Sequence, residues 1–192
     1  MQDTKLFMLL LGCKPNGRFT EQHDIFFGAG NSLKDLSADI LAFWPGPQKI
    51  HIDAWREVTE VDGYSISLSL KEKEALIEKQ DKRLFFLNLG GYKENEFEEY
   101  HYKLLAVAVD KSEAIKQAKA TAFYKHTGFK GADSHIDDKY GVDVDDLYEI
   151  EDILPAAIKE RYRVVIQPST GIAKDEWRLG YTKLSSLADT TV

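Results

Sequence analysis

The sequence is poor in cysteine and in long hydrophobic stretches. Cys13 is the one cysteine among 192 residues, so no disulfide can form within the chain. The longest purely apolar run, Leu6 to Leu11, is far shorter than the ~20 residues of a membrane-spanning helix. No signal-peptide pattern surrounds that run. We therefore expect no membrane partner and a location in the reducing cytoplasm.

Basic residues are also scarce relative to acidic ones. Lys and Arg number 25 and Asp and Glu number 32, which gives a formal net charge of −7. A protein that grips nucleic acid needs an excess of cations to neutralise phosphates. The balance predicts no nucleic-acid partner. No cofactor-binding loop stands out either, so we expect no cofactor, and the partner that remains is a small molecule or another protein.

What the sequence does contain is an internal repeat. The stretch Leu6–Phe27 returns without a gap at Leu84–Leu105, 78 residues later, with eight of 22 positions identical. A second stretch, His51–Ile66, matches residues 135–150 at an offset of 84, with seven of 16 positions identical. The six extra residues fit a longer helix and an added loop between the two stretches of the second copy.

Local patterns predict the same elements in each copy. The first copy has an apolar strand at Lys5–Cys13, turn chemistry around Pro15, and a second strand at Phe19–Gly28. A capping box begins a helix at Ser32, and two further strands flank a turn at Asp62. In the second copy, strands are expected at 83–91 and 97–109 and a capped helix after Asp110.

The order of elements predicts an α+β fold made by tandem duplication of a β-β-α-β-β unit. We expect residues 1–82 to hold the first copy with a linker helix over 71–82, and residues 83–154 to hold the second. The copies would share one core and pack about a pseudo-twofold axis, as a monomer equivalent to a fused dimer. Residues 155–192 would form a C-terminal extension with a helix, one further strand and a tail that is frayed after about Ser185.

Four short segments resemble a known family. They are LGCKP at 11–15, TEQHD at 20–24, KIHIDAWREV at 49–58 and SHIDDKYGVD at 134–143. These segments are similar to those of the DUF1543 family, bacterial proteins that carry one or two copies of a domain of unknown function. The resemblance covers most of residues 6–154 and implies a small, cytoplasmic α+β protein of bacterial origin. It implies no activity and carries over no functional residues.

The repeated histidines are the sharpest functional signal. Four of the five histidines form matched pairs, and each lies two residues from a carboxylate. Because residues i and i+2 of a strand share a face, each copy can bring Glu, His, His and Asp together. These sets are Glu21, His23, His51 and Asp53 in the first copy and Glu99, His101, His135 and Asp137 in the second. Such a set can hold a divalent metal or perform acid–base chemistry, or it can simply order one face of a sheet.

Three basic residues of the first copy are further candidates. Lys14 and Arg18 lie in a glycine-flanked turn that could cradle an anion, although a turn between two strands lacks the context of a phosphate loop. Arg56 follows Trp55, and the pair could form an exposed aromatic–guanidinium surface. Cys13 beside Lys14 could be a thiol with a lowered pKa, or an incidental one.

Two functions remain open on these residues. The first is a soluble, non-enzymatic binding or interaction protein whose ligand, a small molecule that could be an anion, is held where the two repeats meet. The alternative is a small metal-dependent or acid–base enzyme that uses the paired Glu/His and His/Asp residues. No metal ligand set is assigned.

Overall fold

The computed structural model describes residues 4–46, 49–72, 80–121, 135–136, 147–169, 171 and 175–188. It confirms an α+β fold rich in β-sheet. The chain divides into two compact units, one formed by residues 1–77 with 154–192 and the other by residues 78–153. Among the described residues, no helix has the length and apolar character needed to span a membrane.

The first unit contains a four-stranded antiparallel sheet. Its strands are β1 (Lys5–Cys13), β2 (Gln22–Gly30), β3 (His51–Glu57) and β11 (Arg178–Lys183), in the order β11-β3-β1-β2. Side chains on both faces of β1 are buried, which explains why its sequence is apolar throughout. Its hairpin with β2 is the one predicted from the turn at Pro15, where the Arg18 N–H donates to the Pro15 carbonyl.

A second, smaller sheet of this unit joins β4 (Glu60–Val61), β5 (Tyr64–Leu70) and β10 (Tyr162–Pro168) in the order β10-β5-β4. Asp62 and Gly63 form the β4–β5 turn with φ of 53° and 79°. Asp and Gly tolerate this left-handed backbone better than other residues do, which is why the dipeptide predicted the turn.

Short helices complete the first unit. A 3₁₀ turn (Leu33–Leu36) runs into α1 (Ser37–Phe43), and a second 3₁₀ turn (Leu184–Ala188) follows β11. The Asp35 carboxylate accepts hydrogen bonds from the Asn31 and Ser32 N–H groups, as the capping box predicts. These turns cover one face of the large sheet, and the core between them comprises Phe7, Leu9, Leu11, Cys13, Phe26, Leu36, Ile40, Ile50, Ile52 and Leu187.

The C-terminal segment differs from the predicted extension. Besides the helix Ala156–Arg161, it supplies β10 and β11, which complete the two sheets of the first unit. The tail predicted to fray after Ser185 is wrong over residues 185–188, because Leu187 is only 4% exposed and belongs to the core. A single buried leucine among small polar residues gives no periodic pattern from which this could be read.

The second unit is built on β6 (Arg83–Tyr92), which pairs with β7 (Glu99–Ala108) on one side and with β8 (His135–Ile136) and β9 (Leu147–Glu149) on the other. The helix α2 (Lys111–Lys119) is capped as predicted: the Asp110 carboxylate accepts from the Glu113 N–H, and Glu113 accepts from the Val109 N–H. Its small face, Ala114 and Ala118, is buried against the sheet.

The last part of the second copy departs from the predicted alignment. Leu147–Glu149 pairs with Phe85–Leu87, whereas in the first unit Phe7–Leu9 pairs with Trp55–Glu57. Tyr148 therefore takes the position of Arg56, not of Tyr64 as the sequence match implied. Ten residues separate Ile136 from Leu147, where the first unit has two between Ile52 and Trp55. The fourth predicted strand is wrong as well, since Ile150–Ile153 forms a short helix, α3.

Two strand boundaries and the linker also differ. The strands predicted to begin at Phe19 and Phe97 begin at Gln22 and Glu99, and both phenylalanines are fully exposed, at 97% and 108%. Aromatic residues favour strands, which explains the error. The predicted linker helix over 71–82 falls largely on residues 73–79, which lie outside the described residues.

Candidate functional site

One row of the large sheet carries two histidines around a glycine. Gly12 on β1 lies opposite His23 on β2 and opposite His51 on β3. The residues on either side of Gly12 in β1, Leu11 and Cys13, point into the core. Because side chains alternate along a strand, the row faces away from that core. The two imidazoles therefore flank a position without a side chain.

Two carboxylates complete the cluster. His51 Nε2 lies 3.1 Å from Glu21 Oε1 and 3.4 Å from Asp53 Oδ1. His23 Nε2 lies 3.3 Å from Asp53 Oδ2 and 3.8 Å from Glu21 Oε2. Each carboxylate thus faces both imidazoles. The structure brings together all four residues that the repeat pattern selects in the first copy, and we refer to them as the His–carboxylate cluster.

The four side chains of the cluster differ in solvent exposure. The His51 side chain is 6% exposed, Asp53 26% exposed, and His23 and Glu21 are both near 44%. Asp53 Oδ2 is buried and accepts no hydrogen bond. A buried carboxylate oxygen without a hydrogen bond carries a desolvation cost. His23 Nε2 lies 3.3 Å from this oxygen, but no hydrogen bond of acceptable geometry joins the two atoms.

The backbone creates the space that the cluster fills. A Cβ atom built on Gly12 would lie closer than 3.0 Å to both His51 Nε2 and Asp53 Oδ2, so only glycine fits there without displacing them. On β3, the ladder to β1 passes from Ile52 directly to Ala54, which makes Asp53 the extra residue of a β-bulge. Bulges of this kind re-aim side chains beside functional sites.

Tyr181 closes one side of the cluster. Its ring lies 4.4 Å from the His51 ring, with 33° between the planes. The β11–β3 ladder also shifts register here, between Leu179 and Thr182, and Gly180 adopts φ of 126°. That backbone region is disfavoured for residues with a Cβ. Gly180 therefore permits the irregularity that accompanies the Tyr181–His51 contact.

In the second unit the same row recurs in the backbone. Gly90 lies opposite His101 and opposite His135. The Glu99 carboxylate accepts a hydrogen bond of 2.7 Å from the Tyr92 hydroxyl, and His101 Nδ1 lies 3.3 Å from the Asn88 amide nitrogen. Asp137 lies outside the described residues. The arrangement of all four cluster residues is therefore described for the first unit.

Lys14 and Arg18 are exposed in the β1–β2 turn, as the turn pattern indicates. Cys13, in contrast, is fully buried. Burial raises the pKa of its thiol, and the charge of Glu21 raises it further. The lowered pKa considered from its neighbour Lys14 is therefore wrong, because desolvation and a nearby anion both disfavour the thiolate.

We expect Cys13 to resist alkylation. The thiolate is the reactive form, and here it is both suppressed and inaccessible. Iodoacetamide at pH 7 should leave Cys13 unmodified in the native chain and modify it rapidly in urea, as followed by intact mass. Because the chain has one cysteine, every adduct reports this site. Equal rates in the two conditions would contradict the buried placement.

Arg56 is not the exposed residue that the sequence suggested. Its side chain is 12% exposed, lies 3.5 Å from Asp175 Oδ2, and stacks 4.7 Å from the Trp177 ring centroid. Trp55 instead packs on Phe7, with 6.2 Å between ring centroids. Because side chains alternate along β3, the two neighbours lie on different faces of the sheet. Arg56 therefore has a structural environment, and its aromatic partner is not the adjacent tryptophan.

Asp175 is a residue that the sequence did not single out. Its side chain is 1% exposed, and its Oδ1 accepts hydrogen bonds from Thr59 N–H, Thr59 Oγ1–H and Glu60 N–H. Tyr181 and Gly12 were also not selected as site residues. The alternation of large apolar residues at Trp177, Leu179 and Tyr181 is a strand signal, but nothing local tells which strand it joins.

The described residues contain no group of three or more His, Cys, Asp or Glu side chains arranged to hold a metal ion. What the His–carboxylate cluster offers is two imidazoles that can exchange protons and two carboxylates that can accept N–H groups or balance a positive charge. It is open to solvent at His23 and Glu21.

The fold and the cluster together define a small α+β protein with a His–carboxylate row on its larger sheet. Residues 18–68 match the family described as Domain of Unknown Function (DUF1543), which confirms the resemblance. All four cluster residues fall within the matched range. No curated protein matches the chain.

Among solved structures, the chain is similar to that described as "Crystal structure of a protein Il1583 from Idiomarina loihiensis". The two are 26% identical, with a TM-score of 0.55, over 95% of this chain and 98% of the other. That description assigns no activity.

Proposed function

We propose that the chain is a non-enzymatic binding protein and that the His–carboxylate cluster of its first unit contacts the ligand. The observation that carries the proposal is Asp53 Oδ2, which is buried and accepts no hydrogen bond. Two carboxylates stand within 3.8 Å of two imidazoles, so a ligand that brings N–H donors or positive charge would complete the bonding. A protonated amine is the simplest group of this kind.

The experiment is a titration of the full chain with methylammonium, followed by long-range ¹H–¹⁵N NMR of the histidine rings. We expect the Nε2 signals of His23 and His51 to shift, while those of His101 serve as an internal reference in the second unit. Asp53→Asn keeps the size of the side chain and removes its charge, and should weaken the effect about tenfold or more because charge-assisted hydrogen bonds are lost.

Glu99→Gln is the control in the second unit, since it neutralises the carboxylate that repeats Glu21 of the first unit. It should leave the methylammonium response unchanged. If His23 and His51 do not respond, or if Asp53→Asn and Glu99→Gln behave alike, the cluster is not the ligand contact. A parallel titration with zinc tests the metal-dependent alternative, which requires near-stoichiometric binding at the same two rings.

An acid–base enzyme is the second candidate. Two observations favour it: the His23 ring is exposed at the surface whereas the His51 ring is buried, and Asp53 lies within 3.4 Å of both rings. A proton could pass between solvent and the buried ring along these groups. A screen of aryl ester substrates tests it: activity that His23→Gln removes and His101→Gln retains would support this candidate over simple binding.

We also propose that the two units derive from duplication of one β-β-α-β unit rather than β-β-α-β-β. The support is the shared register, in which Gly12 and Gly90 each lie between two repeated histidines. The pseudo-twofold packing, the monomeric state, the cytoplasmic location and a site between the repeats stay predictions. The geometry on which the ligand proposal rests lies within the first unit.

A further inference from the structure

A pocket of about 880 Å³ adjoins the cluster in the first unit. Residues from the first 3₁₀ turn, α1, the two positions before β3, β11 and the last 3₁₀ turn surround it. The lining residues are Lys34, Ser37, Leu41, Lys49, Ile50, Tyr181, Lys183, Leu184 and Ser185. A cavity of this size accommodates a small organic molecule.

The lining combines positive charge with apolar surface. Lys34, Lys49 and Lys183 are all exposed at the pocket, and none of the lining residues that the structure describes is acidic. The nearby Asp35 carboxylate is directed to the backbone N–H groups of its capping box. Three lysines around one concavity are notable in a chain whose formal net charge is −7.

The interior of the pocket is apolar. Leu41 and Leu184 both line the pocket, and Ile50 belongs to the hydrophobic core. Leu41 is 55% exposed although it lies on a helix that faces the sheet. An exposed leucine inside a concave, lysine-rimmed surface is suited to the apolar part of a ligand.

We infer that this pocket binds a small amphipathic anion, a molecule with an apolar body and a carboxylate or phosphate group. The lysine ammonium groups hold the anionic end, with Ser185 as a hydroxyl donor, and the leucines contact the apolar body. Tyr181 lines the pocket and also stacks on His51, so it connects this pocket with the His–carboxylate cluster. The inference does not rest on the cluster's proposed function.

The test is calorimetric titration of the full chain with octanoate, octyl phosphate and octanol. We expect the two anions to bind and octanol, which has the same chain without charge, to bind at least about tenfold more weakly. Whichever anion binds tighter identifies the headgroup. Affinity for the anions should fall as salt is raised, because exposed charge pairs are screened.

Replacing Lys34, Lys49 and Lys183 together with glutamine should lower octanoate affinity about tenfold, the combined effect of three partly exposed ion pairs. The matched control is Lys111, Lys116 and Lys119 to glutamine, which makes the same charge change on α2 of the second unit and should have no effect. Leu41→Asn should weaken octanoate and octanol alike. Asp53→Asn should leave octanoate binding intact, which separates this site from the cluster.

The inference is overturned if octanoate and octyl phosphate bind no better than octanol, or if neither binds at all. It is also overturned if the pocket and control lysine variants lose affinity equally. None of the six lysines belongs to the hydrophobic core, so both triple variants should fold normally. Thermal unfolding of each variant checks this and excludes misfolding as the cause of a lost affinity.

Discussion

Gly12→Ala is expected to destabilise the first unit and to displace the His51 imidazole. Alanine would ordinarily favour a strand over glycine by about 0.5–1 kcal/mol. Here its Cβ would lie closer than 3.0 Å to His51 Nε2 and to Asp53 Oδ2. Overpacking of a buried site costs about 1–3 kcal/mol, which outweighs the gain. Urea unfolding should show a lower free energy of unfolding, and histidine NMR should show a changed His51 environment.

The clash can be separated from other effects by a double-mutant cycle. In a His51→Ala background the ring is gone, and Gly12→Ala should then cost less, because only the contact with Asp53 Oδ2 remains. The coupling between the two substitutions should reach about 1–3 kcal/mol, the range found for residues in contact. Additive effects would show that the glycine is not there to make room for the ring. The Gly12→Ala variant should also bind methylammonium more weakly, because its His51 imidazole is displaced.

The four residues of the His–carboxylate cluster could be selected from the sequence. His51 and Asp53 are two residues apart on a strand, as are Glu21 and His23 in the sequence, and alternation predicts a shared side for each pair. The repeat added the expectation that the two pairs belong to one site. Turn chemistry at Pro15 and Asp62 and the capping boxes at Ser32 and Asp110 marked the elements, because each of these signals is local.

The remainder depends on contacts between distant parts of the chain. The β3 bulge at Asp53 and the register shift at Gly180 are set by how strands meet, and no pattern within one strand encodes them. The long connection between Ile136 and Leu147 hid the true equivalence of Tyr148 and Arg56. Tyr181 reaches His51 only because the C-terminal segment returns to β3.

Asp175 is the clearest case of a residue hidden from sequence reasoning. It stands beside Glu176 in a polar stretch, where a solvated carboxylate is the ordinary expectation. In the structure its side chain is 1% exposed and joins the C-terminal segment to the residues that follow β3. The desolvation cost of its carboxylate is offset by the hydrogen bonds it accepts from Thr59 and Glu60 and by the charge of Arg56.

Asp175→Ala should therefore be strongly destabilising, with a loss of about 3–5 kcal/mol in the free energy of unfolding. The substitution leaves the Arg56 guanidinium, which is 12% exposed, without its partner Asp175. It also removes the acceptor of the Thr59 and Glu60 N–H groups. Urea denaturation followed by tryptophan fluorescence measures the loss, and Trp177 lies close enough to report it.

Two neighbouring substitutions make this prediction specific. Asp175→Asn retains an oxygen that can accept from Thr59 and Glu60 but not the charge, so its cost should be smaller than that of alanine. Glu176→Ala removes an exposed carboxylate paired with Arg178, whose side chains are 72% and 57% exposed, and should cost only about 0–1 kcal/mol. If Asp175→Ala cost no more than Glu176→Ala, the C-terminal segment would not depend on this carboxylate to dock, and β11 would have to be held by its ladder to β3 alone.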